Sequence, residues 1–475
     1  MNIKISKNEI LFVCFDIDFD TARLYNYIKT NNGRRMKDVI KFCPYHNDDS
    51  AVNYNLMIVR VSPEKNGVIL EWVGKTTGDF TVQIYRNKNL IVEMRSDKNE
   101  IEIDNLKSNT EYSAVIRADN QASDRRLFVT GDYLYPVVNY YNPKDRVYDF
   151  SGNFLGSPHI IRFHEKLFCT MDTFKNGGTA NGHKQSIVFI SDDDGKKWRY
   201  LSEIIPAEWG RFIIVKDELY FMGTKVGEGV IFYKTTDGIT FEKGDVISPE
   251  YDGKDVYFCS SPTQILVKGD YVYFVGGAPY YIDGVAYSSL TMAKGNVKTG
   301  LLNKESWTFS NTLYPDPAWN IDAENHRYAE ESNVVERNGE IYVISRYFTN
   351  KALMTRYDKE NNKLEFYKII DLEIGYCKFY IEKNEEDGYY YAMGNHRCFP
   401  RQILKLYRSK DLENWEYVKT IKDITETDKN LNGIQYPSFI IENNVAITVI
   451  RTALNGSENF HNSNAVTFAK INLYR

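Results

Sequence analysis

The sequence predicts an all-β protein: a six-bladed β-propeller, preceded by a small β-sandwich and a short N-terminal α/β appendage. Three observations predict it. From about Ser157 onward, apolar strands recur at regular intervals with no convincing amphipathic helix between them. Within that region a unit of strand, acidic turn, aromatic residue and strand is repeated. Before it, from about Asn55 to Gly131, short strands alternate apolar and polar residues between turns.

At 475 residues the chain is too long for one core, and it divides into 1–50, 51–132 and 133–475. In the first part the apolar strand Ile10–Phe15 precedes two short helices, Asp20–Thr30 and Arg34–Phe42, and a polar linker. No function attaches to it. The Ile10–Phe15 run is too short for a signal-peptide core or a membrane span. The chain as written is expected in the cytoplasm, or outside the cell if an upstream leader was removed. Net charge is −5 with both signs mixed, which gives no nucleic-acid footprint. The six cysteines are scattered without metal spacing, so buried free thiols are expected, with no cofactor and no metal.

In the second part the strands are Val68–Val73, Asp79–Tyr85, Leu90–Met94, Glu100–Ile103 and Tyr112–Ala118, with no clear first strand. Leu106 to Tyr112 resembles the tyrosine corner of a fibronectin type III domain, and Trp72 stands where that fold keeps its core tryptophan. The resemblance implies a spacer, or a module that docks on a protein or cell surface.

In the third part, Tyr133–Tyr148 reads as a connector. Six modules then open near Ser157, Trp209, Tyr257, Ala329, Tyr376 and Gly433, the third with a long excursion from Gly277 to Tyr328. The repeated unit is clearest in Ser191-Asp192-Asp193-Asp194-Gly195-Lys196-Lys197-Trp198. The short acidic side chain accepts backbone N–H bonds in its own turn, the glycine closes it, and the tryptophan buries its face. Worn copies are Thr235-Thr236-Asp237-Gly238-Ile239-Thr240-Phe241 and Ser409-Lys410-Asp411-Leu412-Glu413-Asn414-Trp415. These are similar to the Asp-box (BNR) repeat, and the chain here resembles the sialidase (neuraminidase) superfamily.

That resemblance implies roles for particular residues. Glu330-Glu331-Ser332-Asn333-Val334-Val335-Glu336, followed by Ser345-Arg346, is similar to the sialidase stretch that supplies a general base and a carboxylate-gripping arginine: here Glu331 and Arg346. Gln435-Tyr436-Pro437-Ser438 resembles the segment with the nucleophilic tyrosine, Tyr436. A neutral phenol suits an anomeric carbon beside a carboxylate, which repels an anionic nucleophile. Asp172, before the glycine-containing run Lys175–Lys184, resembles the general acid/base, which needs a raised pKa. Arg401 fits a further substrate arginine better than Arg397 does. Arg451 and His461 are pocket candidates by likeness to a group of bacterial sialidase-like proteins.

The match also fails in places. Sialidases open their first blade with R-I-P, whereas this chain has Gly156-Ser157-Pro158. Where the family keeps a glutamate to buttress that arginine, the strand here ends in Arg451-Thr452-Ala453. Losing a buried arginine together with its counter-charge is self-consistent. The implied activity is a retaining exo-glycoside hydrolase on a terminal acidic sugar of a glycan. Two alternatives stay open: a lyase on a uronic-acid-containing polysaccharide, and a non-catalytic glycan-binding propeller.

Overall fold

The computed structural model describes residues 56–474, apart from 75–77, 146–153, 175–184, 251–257, 283–284 and 320–328. The elements expected over residues 1–50 and the Lys175–Lys184 run lie outside the described residues. The described chain is all-β, built largely of four-stranded antiparallel sheets in a propeller-like arrangement. Among the described residues no helix is long and apolar enough to cross a membrane.

Residues 57–129 form two sheets. Three strands, Met57–Pro63, Val68–Val73 and Glu100–Ile103, make one; the other is built on Phe80–Arg86 and Glu111–Ala118. Val68–Val73 and Phe80–Arg86 alternate buried and half-buried residues, the period of a strand covered on one face. Trp72 is wholly buried and meets Phe80 edge-on at 5.3 Å. The Tyr112 hydroxyl accepts the Lys107 N–H at 3.0 Å, tying the strand to its preceding turn. The strand with no clear signal in the sequence is Met57–Pro63, and the reason is that all seven residues are buried. It lies between its own sheet and Val137–Tyr140, with Arg60 Nε donating to the Val138 carbonyl and Ser62 Oγ to that of Val137. Buried on both sides, it shows no alternation in burial, although Arg60 and Ser62 alternate with Val61 in the sequence.

From Phe154 onward the described residues form six sheets of four strands each, in chain order. The sixth takes three strands from the end of the chain, Gly433–Glu442, Val445–Ala453 and Ala465–Asn472, and its fourth from Val137–Tyr140. The stretch expected as a connector therefore contributes a strand. In the third sheet the excursion after Gly277 holds a hairpin, Pro279–Ile282 with Val285–Ser288, and then the sheet's own strands Thr291–Asn296 and Trp307–Phe309. Neighbouring sheets share apolar cores, such as Phe212 and Phe221 between the first two and Tyr342 and Phe379 between the fourth and fifth. The sixth sheet meets the first through Phe468, whose ring lies 5.4 Å from that of Trp198.

The acidic turns satisfy themselves. Asp193 accepts from the Lys197 N–H at 2.8 Å, and Asp237 from those of Ile239 and Thr240 at 2.8 Å. In the copy without glycine, Leu412 takes the left-handed backbone (φ 64°) that Gly238 takes in the second (φ 72°).

Candidate functional site

Four of the six sheets carry the same irregularity at the start of their first strand. One extra residue interrupts the register between Gly156 and His159, Glu208 and Arg211, Glu330 and Asn333, and Gln435 and Ser438. The inserted residue has a left-handed backbone each time: Ser157 (φ 43°), Trp209 (54°), Glu331 (50°) and Tyr436 (53°). No glycine eases these positions, and each costs about 1 kcal/mol or more, which the flanking ladder offsets. The residue preceding each irregularity pairs with the second strand at Asp172, Thr224, Arg346 and Arg451 respectively. Glu331, Arg346, Tyr436, Arg451 and Asp172 thus occupy two equivalent positions repeated from sheet to sheet, at one level of the fold.

Side chains from distant sheets converge just beneath that level. The Tyr380 hydroxyl of the fifth sheet lies 3.4 Å from His159 Nε2 of the first and donates to Gln264 Oε1 of the third at 3.0 Å. Asn333 reaches the Phe379 carbonyl at 3.2 Å, and Arg211 donates to Ser260 Oγ at 3.0 Å. Burial drives the His159 imidazole well below its ordinary value, aided by the Arg211 and Lys378 charges, so it is neutral.

Above this belt the predicted residues form a chain of contacts. Glu331 Oε2 accepts from Arg346 Nη1 at 2.9 Å, and Glu330 lies 3.3 Å from the same nitrogen. Arg346 Nη2 and Arg401 Nη2 each stand 3.4 Å from Cys398 Sγ. Arg401 also donates to the Cys398 carbonyl at 3.0 Å and to Gln435 Oε1 at 2.5 Å, and its guanidinium lies 5.2 Å from the centre of the Tyr436 ring. Arg451 approaches the same ring at 5.0 Å, and the Lys378 ammonium at 5.9 Å. A carboxylate from the fourth sheet and a phenol from the sixth are therefore joined through two arginines and a thiol. Arg397, by contrast, is exposed.

Asp172 is buried between the first two sheets. Its Oδ1 accepts from Ser186 Oγ at 2.8 Å and from the Gly210 N–H at 3.4 Å. Burial raises its pKa well above the carboxylate range and the neighbouring Glu208 charge adds to that, so it carries a proton. Phe174, two residues on and facing the same way, meets Arg451 at 4.5 Å and the His461 ring at 5.9 Å. His461 offers its carbonyl to Arg451 Nη2 at 2.6 Å, while its ring packs on Phe174.

Sequence reasoning missed three members of this site. Lys378 is buried, donates to the Pro437 carbonyl at 2.5 Å, and is pushed down to about 7 by burial, against the opposing pull of Glu331. Cys398 is held well below the ordinary thiol range by a hydrogen bond from Cys377, with help from Arg401 and Arg346. His159 directly follows Gly156-Ser157-Pro158, but nothing near it in the sequence marks a partner. The only usable signal was a lysine and a cysteine each flanking a strand of the fifth sheet. Among the described residues, the one trio of carboxylates close enough to share an ion, Glu64, Glu102 and Asp104, is exposed on the N-terminal sheets, away from this site.

No protein family matches the chain, and no curated protein does. Among solved structures it is similar to the Trypanosoma rangeli sialidase, at 13% identity over 71% of this chain and 58% of that one, with a TM-score of 0.44. It is also similar to a Penicillium chrysogenum α-L-arabinanase complexed with arabinobiose, at 12% identity over 71% of this chain and 97% of that one, TM-score 0.48. The chain thus spans 58% of the sialidase's length. The similarity is remote, and it extends to sialidase-like and other β-sheet glycosidase folds.

Proposed function

We propose that the protein is a sialidase-like exo-glycoside hydrolase that removes a terminal acidic sugar from a glycan by a retaining mechanism. The six sheets are read as the blades of a closed six-bladed propeller. The sheets over 51–132 are read as a fibronectin type III-like module serving docking on a protein or cell surface. One observation supports the reading above all. Glu331 and Tyr436 stand at the same left-handed position of their sheets and belong to one contact chain through Arg346, Cys398 and Arg401.

In this reading Tyr436 attacks the anomeric carbon while Glu331 takes the phenol proton and Asp172 protonates the leaving oxygen. The raised pKa of Asp172 suits an acid that must hold its proton near neutral pH. The glycosyl–tyrosine bond then breaks as water, losing its proton to Asp172, takes the anomeric carbon. Arg346 and Arg401, with His461 at the edge, favour a substrate bearing a carboxylate.

Aryl glycosides and acidic polysaccharides, read by reducing sugar and by ultraviolet absorbance, test it. Tyr436→Phe should lower turnover on the order of a thousandfold or more while glycan binding persists. Undiminished turnover removes the nucleophile assignment. The two arginines beside the Tyr436 ring favour a second reading, in which the phenolate is the base of a polysaccharide lyase. That reaction leaves a double bond, so rising ultraviolet absorbance would replace the hydrolase with the lyase. Binding without either signal would leave a non-catalytic glycan-binding propeller.

A further inference from the structure

Three exposed apolar side chains fall close together on one strand: Leu90, Ile91 and Met94, at 47, 49 and 42% exposure. That strand, Asn89–Ser96, is the outermost of its sheet and pairs only with Phe80–Arg86 among the described residues. Its other edge presents a row of backbone N–H and C=O groups that no strand there pairs. Across the ladder Val82 stands opposite Met94, and Ile84 opposite Val92. Val82 and Ile84 are wholly buried, Val92 is half-buried and Met94 is exposed. The apolar face of this sheet therefore runs on past the three-stranded sheet that covers it.

The charges on the strand say what fits this edge. Glu93 and Arg95 alternate with Met94 and project from the other face, both exposed. Glu93 accepts from Gln83 Nε2 at 2.8 Å, and neither residue has an ion-pair partner among the described residues. An edge guarded against its own kind carries charges that repel a copy of itself. This one does the reverse. An antiparallel copy related by a two-fold axis at Met94 sets each Glu93 opposite an Arg95, and Met94 against Met94. The neighbouring symmetric registers are worse. An axis at Glu93 brings two carboxylates face to face, and an axis at Val92 runs the pairing through Ile91, the extra residue where the ladder slips between Ile84 and Tyr85.

We propose that two copies of this chain pair antiparallel along Val92–Ser96 about a two-fold axis at Met94, joining their N-terminal sheets into one. The interface is isologous, with two Glu93–Arg95 pairs on one face and the Met94 side chains on the other. It goes beyond the reading of the candidate site and does not depend on it.

Sedimentation velocity on the full chain across a dilution series tests it. Wild type should pass from dimer to monomer on dilution. Glu93→Arg or Arg95→Glu alone should weaken the dimer roughly tenfold or more, since each sets like charges opposite one another twice. The two reversals combined should restore it, which a general change in packing or solubility would not do. Met94→Cys should give a disulfide-linked dimer under mild oxidation, because directly opposed residues of an antiparallel pair lie about 4.5–5.5 Å apart at Cα. Leu90→Cys should not, its own copy lying roughly 25 Å along the strand. Circular dichroism checks the fold of each variant, and if a charge reversal does not fold, linkage through residue 94 decides. A wild type that stays monomeric at the highest concentration overturns the proposal. So do single reversals that leave the dimer intact, a double reversal no tighter than either single one, or no linkage through residue 94.

Discussion

Asp411 and Asp172 carry the same carboxyl group into opposite surroundings. Asp411 lies in an exposed turn that bends back on it. Burial works against its charge, but the Asn414 N–H at 2.8 Å, the Asn414 amide at 2.7 Å and the Glu413 N–H at 2.9 Å hold it at about 2. Asp172 lies mid-strand, where the backbone donors of its own chain are committed to the ladder. It borrows Ser186 and the Gly210 N–H from elsewhere, and its Oδ2 has no hydrogen-bond partner among the described residues. A turn supplies its own donors within three residues; a strand does not. The first arrangement stabilises the aspartate's charge, and the second disfavours it.

The contrast can be broken at its strongest point with Asp172→Asn. Turnover should fall about 10²–10⁴-fold if the residue is the acid. Stability should move the other way. A carboxyl whose folded pKa is raised binds its proton more tightly in the native state, so wild type loses stability as pH climbs from about 4 toward the folded pKa. The gain of the asparagine variant should therefore grow over that span, measured by urea unfolding at two pH values. A pH-independent difference would mean the side chain is not titrating as described.

Cys398→Ala comes next. It leaves Arg346 and Arg401 facing each other without the sulfur between them, and should cost about 3 kcal/mol in urea unfolding. A cost below about 1 kcal/mol would show that the sulfur is not their counter-charge. The smallest effect belongs to the turn. Asp411→Ala should cost about 1–2 kcal/mol at neutral pH. Because the folded pKa is lowered, that contribution is complete above about 4 and should vanish as pH falls through about 2. A penalty equal at both ends would refute the self-satisfied turn.

Much of the fold was legible because its signals are local. Period-two alternation marks Val68–Val73 and Phe80–Arg86, and the acidic turns announce themselves by their own donors and acceptors. Strands covered on both sides were not legible: Met57–Pro63 and Val137–Tyr140 are buried throughout, polar residues such as Arg60, Ser62 and Asn139 included, so neither reads as a strand with one wet face. The site divides similarly. Glu331, Arg346 and Tyr436 stood out by resemblance, whereas Lys378, Cys398 and His159 acquire meaning only from partners brought in by other sheets.

By itself, the sequence determined the strand-and-turn repeat and the residue types able to do chemistry, since both depend on neighbours within a few positions. Only the tertiary structure decided that one extra residue recurs in four sheets, that Glu331 and Tyr436 share a level, and that Arg451 lies against the rings of Phe174 and Tyr436. The physical reason is range. Register and charge pairing here join residues tens to hundreds of positions apart, and no local pattern encodes which of them will be buried together.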